Sequence, residues 1–326
     1  MQSKVDSNFL KGLAIIAVVA IHSFSKTINS PISLFVDQLS RYTVPLFMAL
    51  SGFGLAMSFQ KNGSLINFYL KRVWKVLPWF IVASLVIMIF RNWFENAGFD
   101  LLNYHTWTSA IFRGGADYHL YFVPTILKFY LIFPLLFLIT RKFPRLTLGI
   151  ALIWQIYWYT RITTGTEIVG NYNQVWPDQM QYLDPKTWIF YFVFGIFLSL
   201  KSIPINRYFI TAVLISGYLL SFINAFLLQR GGIDSLVATR FTRLPVLLYA
   251  TSFILFFFNF PFGSSKLAIL GKYSFQIYLF HTITLRLLPQ VSGFILTPAV
   301  LILTLIPFMT LTRLKEKLYK KSDVHS

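Results

Sequence analysis

No cysteine occurs in the chain. That absence removes disulfides, thiolate metal centres and a cysteine nucleophile together. Charge is sparse as well: 12% of the residues are Asp, Glu, Lys or Arg, against about 25% in an ordinary soluble domain. Walker, Rossmann and zinc-hydrolase signatures are missing. The segment MALSGFGLAM around Ser51 makes no GxSxG nucleophile elbow, so Ser51, Gly52 and Gly54 read as close helix packing rather than chemistry. The strand alternation of an outer-membrane barrel is absent, and so are fixed-period repeats and low-complexity linkers.

What the sequence has in excess is apolar length. Hydrophobic residues make up 56% and the mean hydropathy is +0.62. Apolar stretches near the roughly 20 residues that a bilayer crossing needs recur from end to end. The chain is therefore expected to be all-α, a polytopic integral membrane helical bundle of about ten transmembrane helices. The spans fall at 9–25, 43–60, 73–91, 119–140, 146–161, 186–200, 208–229, 244–262, 273–289 and 293–312. YHTWTSAIF reads as a short interfacial helix, which keeps nine or eleven spans open. Trp93, Trp107, Trp158 and Trp176 fall near the expected interfaces, where an amphipathic ring is comfortable.

The net charge of +18 is distributed unevenly. Short connections such as RKFPR and KSIPINR are basic, whereas the long ones, such as RITTGTEIVGNYNQVWPDQMQYLD, are acidic and aromatic. With the N-terminus inside, 18 of the 29 basic residues collect on the cytoplasmic side and 8 of the 11 acidic ones on the other. The lysine and arginine excess places both termini in the cytoplasm of a multi-pass protein of the plasma or inner membrane. Such charge serves topology and attraction to anionic lipid; no nucleic-acid partner is expected. A single transmembrane domain is expected over 1–312, with a basic cytoplasmic tail at 313–326 lying along the inner leaflet. No cleavable leader and no attached soluble module are expected.

Several polar residues break the apolar runs. In FLKGLAIIAVVAIHSF, Lys11 and His22 are eleven positions apart, which puts them on one helical face about 16 Å from each other. Lys11 is either a snorkelling interfacial lysine or a cation lining a polar path. His22 is either hydrogen-bonded to another helix or an acid–base group. His281, in KYSFQIYLFHTI, stands nine residues beyond Lys272, about 13 Å up from the cytoplasmic side. Two imidazoles are thus expected at similar depth, with no carboxylate or cysteine beside them to complete a metal site.

In FYLKRVWKVLPWF, Lys71, Arg72 and Lys75 gather at the cytoplasmic mouth of the third span. They either anchor the helix or bind the phosphates of an anionic cofactor. In DYHLYFVPTILKFYLIFPLL, Asp117 and His119 lie at the outer mouth with Lys128 nine residues deeper than His119. A lysine at that depth demands an anionic ligand or backbone carbonyls.

Taken in order, these segments resemble the membrane acyltransferase-3 family. Its mark of a basic residue, ten intervening residues and a histidine corresponds to Lys11 and His22. VPLFMALSGFGLA is similar to its VPLF-F-LSG segment, FYLKRVWKVLPWF to its basic stretch ending in proline, YHLYFVPTILKFYLIFPLL to its histidine–leucine–aromatic motif, and YSFQIYLFH to its late tyrosine–leucine–histidine element. Lys11 replaces the family's usual arginine and lacks its bidentate fork. HTW at 105–107 is not followed by the glutamate–glutamate–glutamine run of one large branch, so the chain looks closer to the stand-alone membrane-domain branch.

The resemblance implies acyl transfer from a cytoplasmic acyl-CoA to a hydroxyl of an extracytoplasmic or lipid-linked saccharide. The donor is acetyl-CoA by preference, with succinyl as the other choice. Lys71, Arg72 and Lys75 then hold the CoA phosphates, with Lys11 near the same entrance. His22 serves as general base or transient acyl acceptor, and His281 orients it or accepts a second proton. Lys128 stabilises the oxyanion, while Asp117, His119 and Arg41 stand at the outer mouth on the acceptor side. Trp107, Tyr118, Tyr172 and Trp176 either stack on sugar or anchor the interface. No metal is expected; membrane lipids surround the protein, and an oligomer stays open. The alternatives are a transporter or flippase of a lipid-linked sugar or small anion, for which no inverted repeat is evident, and a non-catalytic scaffold in a polysaccharide-synthesis complex.

Overall fold

The computed structural model describes residues 5–62, 65–169, 182–260 and 262–322. Every regular element among them is helical. In chain order the helices are α1 (Ser7–Phe24), α2 (Pro31–Leu39), α3 (Thr43–Asn62), α4 (Leu65–Glu95) and α5 (Tyr104–Arg113). Then come α6 (Phe122–Lys142), α7 (Pro144–Val169), α8 (Ile189–Leu200), α9 (Arg207–Arg230) and α10 (Ser235–Ala238). The last are α11 (Leu244–Asn259), α12 (Ser265–Lys272), α13 (Ser274–Leu287) and α14 (Gly293–Ser322).

Local chemistry sets the ends. The Asp6 carboxylate accepts from the backbone N–H groups of Asn8 at 2.9 Å and Phe9 at 3.1 Å, capping α1. Ser30 caps α2 ahead of Pro31 at its first position. Gly114, with φ +69°, closes α5 in the left-handed conformation that glycine adopts without a Cβ penalty.

Among the described residues, six helical segments are long and apolar enough to cross a membrane: Ser7–Thr27, Pro31–Gln60, Asn67–Glu95, Phe122–Lys142, Arg207–Arg230 and Gly293–Glu316. All ten expected spans fall on helices, yet four do not meet that standard. α8 has 12 residues, α11 has 16 and α13 has 14. At 1.5 Å per residue none reaches across about 30 Å of hydrocarbon. α7 is long enough, but Gln155 and Arg161 interrupt its apolar run. The apolar windows in the sequence run across helix and adjoining turn alike, so they extend beyond these shorter helices. The boundary expected at 312/313 carries no structural break, since α14 continues as one helix to Ser322.

The chain divides into two compact units. The smaller is built on Asp6–Ser40 with Gly263–Ser326, the larger on Arg41–Phe262. Within the larger, α3 packs on α8. A Cβ added at Gly52 would strike the Phe192 carbonyl, and one at Gly195 the Ala49 carbonyl. The two backbones therefore touch in both directions, the small-residue solution to helix association in lipid. α8 is buried from Phe190 to Ser199, and Phe129 stacks on Phe192 at 4.4 Å. Within the smaller unit, α1 packs on α12 by the same device. Gly12 lies against the Leu267 carbonyl and Gly271 against the Asn8 carbonyl.

Candidate functional site

The smaller unit brings together His22 of α1 and His281 of α13. At Gly12 and Gly271 the backbones of α1 and α12 meet directly, against the Leu267 and Asn8 carbonyls, which fixes α1 against the chain that turns directly into α13. At the other end of α1, Phe24 meets Phe294 edge-on at 5.0 Å. Between these two contacts the rings of His22 and His281 stand 5.2 Å apart, tilted by 31°.

His281 is wholly buried. Its Nδ1 lies 2.8 Å from the Tyr278 carbonyl and 3.2 Å from that of Ile277. A carbonyl only accepts, so Nδ1 carries the hydrogen and the neutral ring has its lone pair on Nε2. His22 is half-buried, and its own carbonyl accepts from the Ser25 hydroxyl at 2.8 Å. Lys11 is half-buried near the opposite end of the same helix. Sequence reasoning passed over Gly12, Gly271 and the Tyr278 carbonyl. The first two were visible as glycines beside Lys11 and Lys272; the third is a backbone atom and leaves no trace in a sequence.

The larger unit holds a cationic cleft. Phe68, Lys71, Arg72 and Lys75 recur at the spacing of one helical face. With Ser58 and Phe59 of α3 and Asn67 of α4 they line a cleft of about 180 Å³. Phe68 forms its floor, buried against Phe59 at 5.5 Å and Phe133 at 5.2 Å. The Arg72 guanidinium lies 5.8 Å from the Phe68 ring centre, within cation–π range. Three cations and two neutral polar groups, with no carboxylate among these lining residues, suit an anion. The volume is below the roughly 300–1,000 Å³ of sites that enclose a whole ligand, so the cleft fits a phosphate-sized portion of one. Ser58 and Asn67 were missed because uncharged residues on apolar helices carry no signal alone.

The residues expected at the outer mouth are buried in this same unit. Asp117 and His119 are 2% and 3% exposed, with Asp117 Oδ2 lying 3.6 Å from His119 Nδ1. Asp117 Oδ1 accepts from the Tyr118 N–H at 2.9 Å. Arg91 braces the turn by donating to the Ala116 carbonyl at 2.9 Å and to Glu95 at 2.7 Å. Arg41 is also buried, its guanidinium 4.6 Å over the Phe241 ring. Lys128 donates to the Leu183 carbonyl at 2.9 Å. The backbone-carbonyl solution, one of the two its depth demanded, is the one the fold adopts. Trp107 donates to the Leu101 carbonyl at 2.9 Å and Tyr118 is exposed, while Tyr172 and Trp176 lie outside the described residues. Among the described residues no three His, Asp or Glu side chains are grouped as a metal set.

The paired imidazoles of the smaller unit and the cationic cleft of the larger one both lie within a stretch that matches a known family. The acyltransferase-3 family model, an acyltransferase domain, matches residues 5–313. The chain belongs to that family and is, in general terms, a membrane acyltransferase. The match runs through every segment from Lys11 to His281. No curated protein and no solved structure matches the chain.

Proposed function

We propose that the protein is a multi-pass O-acyltransferase of the plasma or inner membrane with both termini in the cytoplasm. It moves an acyl group, acetyl by preference, from acyl-CoA to a hydroxyl of an extracytoplasmic or lipid-linked saccharide. Family membership supplies acyl transfer. The observation that supports the assignment of the acid–base site is the 5.2 Å approach of His22 and His281, two imidazoles on apolar helices where ionisable groups are costly and mark function.

In the reaction, an imidazole takes the proton of the acceptor hydroxyl as its oxygen attacks the thioester carbonyl. The C–O bond forms, the C–S bond breaks, and the imidazolium returns the proton to the departing CoA thiolate. His22, the less enclosed of the two, is assigned as that base. His281, its Nδ1–H committed to Tyr278, packs beside it and orients it. Lys71, Arg72 and Lys75 hold donor phosphate by charge-assisted hydrogen bonds, and Lys11 adds a cation on the smaller unit. Asp117, His119 and Arg41 belong to the acceptor side. Lys128 is left out of the chemistry, for the reason given below.

The test uses purified protein in lipid nanodiscs with acyl-labelled acetyl-CoA and a lipid-linked saccharide. Label on the saccharide, lost in His22→Ala, is the expected result. Saccharide crossing the bilayer without covalent change would replace this reading with transport, and label remaining on CoA across a panel of acceptors would leave a scaffold.

A further inference from the structure

Between Tyr182 and α8 the larger unit has a break in its helical backbone. Residues 182 and 183 are helical, Asp184 bends, Pro185–Thr187 forms a single 3-10 turn, and α8 starts at Ile189. In an unbroken helix the carbonyls of Tyr182 and Leu183 would accept from the N–H groups of Lys186 and Thr187. Both donors go elsewhere: Lys186 N–H to Asp184 Oδ1 at 2.9 Å, Thr187 N–H to the Asp184 carbonyl at 3.0 Å. Carbonyls deprived this way inside a membrane protein must find side-chain donors, because lipid offers none.

The neighbouring helices supply them. Thr125 Oγ1 of α6, whose hydrogen is shared with the Tyr121 carbonyl at 2.8 Å, reaches the Tyr182 carbonyl at 3.0 Å, and Trp188 Nε1 of the segment itself donates to that carbonyl at 2.9 Å. Lys128 Nζ, one helical turn further along α6, donates to the Leu183 carbonyl at 2.9 Å. From α7, Gln155 Nε2 and Tyr159 Oη donate to the Thr187 carbonyl at 3.0 and 3.2 Å, and Gln155 Oε1 accepts from the Phe190 N–H at 3.3 Å. The polar residues on these faces of α6 and α7 thus serve one backbone segment.

The position of Lys128 on α6 agrees. It shares an exposed stripe with Leu131, Ile132 and Leu135, a spacing of i, i+3, i+4 and i+7 that forms one helical face. Leu131 and Leu135 are 70% and 61% exposed, so in a bilayer this stripe meets lipid. Lys128 is the seventh residue of α6, about 9 Å from the helix start. Its stem covers apolar surface while its ammonium reaches back to the break, as snorkelling lysines do.

We propose that Lys128 is a positioning residue that clamps the break ahead of α8, and that its charge takes no part in acyl transfer. It acts through the register of α8, the buried helix whose Gly195 and Phe192 meet α3. The activity arm of the test rests on the acyltransferase reading; the labelling arm does not.

Because the chain has no cysteine, a single Leu183→Cys substitution reports on the break without background. Full-length protein in nanodiscs is treated with a membrane-permeant maleimide. The thiol is expected to be protected in the parent and in Lys128→Gln, which keeps an N–H donor without the charge. It is expected to label more than about tenfold faster in Lys128→Met, where local opening becomes cheaper. Acyl transfer should follow the same order, with Lys128→Gln within about threefold of the parent and Lys128→Met at least about tenfold lower. Unchanged labelling in Lys128→Met sinks the clamp. So does a Lys128→Gln protein that is as inactive as Lys128→Met while its thiol stays protected, since charge is then what matters. If Lys128→Met does not accumulate, Lys128→Leu, which also removes the donor to the Leu183 carbonyl, takes its place, and a thiol as protected as in the parent counts against the proposal. A parent that labels as described but transfers no acyl group leaves the clamp intact and removes the proposed function instead.

Discussion

His22 and His281 come from opposite ends of the chain, and their rings stand 5.2 Å apart inside one compact unit. The contact is held by backbone meeting backbone. Gly12 against Leu267 and Gly271 against Asn8 set the height of α1, and the Nδ1–H of His281 is committed to the Tyr278 carbonyl.

Removing the base is the most direct test. His22→Ala should lower acyl transfer by roughly 10²- to 10⁴-fold, the contribution of a positioned general base. Expression and thermal stability in detergent should stay near the parent, because His22 is only half-buried. A well-folded His22→Ala protein that keeps its rate removes His22 from the mechanism.

The roles of the two imidazoles separate in a pH profile. Protonation removes the base, so the acidic limb of the parent's pH–rate profile reports the general base. His281→Gln keeps a donor for the Tyr278 carbonyl, so it should lower kcat by about tenfold while preserving that acidic limb. Disappearance of the limb in His281→Gln would assign the base to His281 instead.

The cationic cleft should act on binding rather than on chemistry. Lys71→Ala and Lys75→Ala are each expected to raise KM for acetyl-CoA by about tenfold, the worth of one charge-assisted hydrogen bond, with kcat nearly unchanged. Both lysines are exposed, so the penalty should shrink as salt is raised. A variant that loses kcat at unchanged KM places these lysines in the chemical step.

Packing at the α1–α12 contact is stringent enough to test by one atom. Gly12→Ala puts a methyl group into the Leu267 carbonyl and Gly271→Ala puts one into that of Asn8. Each should cost about 1–3 kcal/mol of stability, read as a lower thermal midpoint in detergent. Gly54→Ala, inside α3 where an added Cβ meets nothing within 4 Å, is the control that should leave the midpoint at or slightly above the parent's, since alanine favours a helix over glycine.

Much of this was legible in the residues alone. The spacing of Lys11 and His22 along one helical face, the depth of His281 beyond Lys272 and the cation group at Lys71, Arg72 and Lys75 all follow from rise and period. Six of the ten expected spans fall on helices long and apolar enough to cross a membrane among the described residues; α8, α11 and α13 are apolar but short, and hydropathy measures composition rather than helical length. The depth of Lys128 left two ways to satisfy its charge, an anionic ligand or backbone carbonyls, and the sequence could not choose between them. Its partner is the Leu183 carbonyl, a main-chain atom.

By itself the sequence determined the solvent and the class. A chain poor in charge, free of cysteine and dense in apolar runs is stable only as helices in lipid, where each backbone bond closes within its own segment. It also determined which few ionisable groups would be costly there. Only the tertiary structure decided which of them meet: His22 beside His281, the cations over Phe68 and Ser58, Asp117 and His119 sealed from solvent, Lys128 bent onto a broken helix. Those outcomes depend on where glycines let helices touch and where a helix stops early, and both are settled by contacts between residues far apart in the chain.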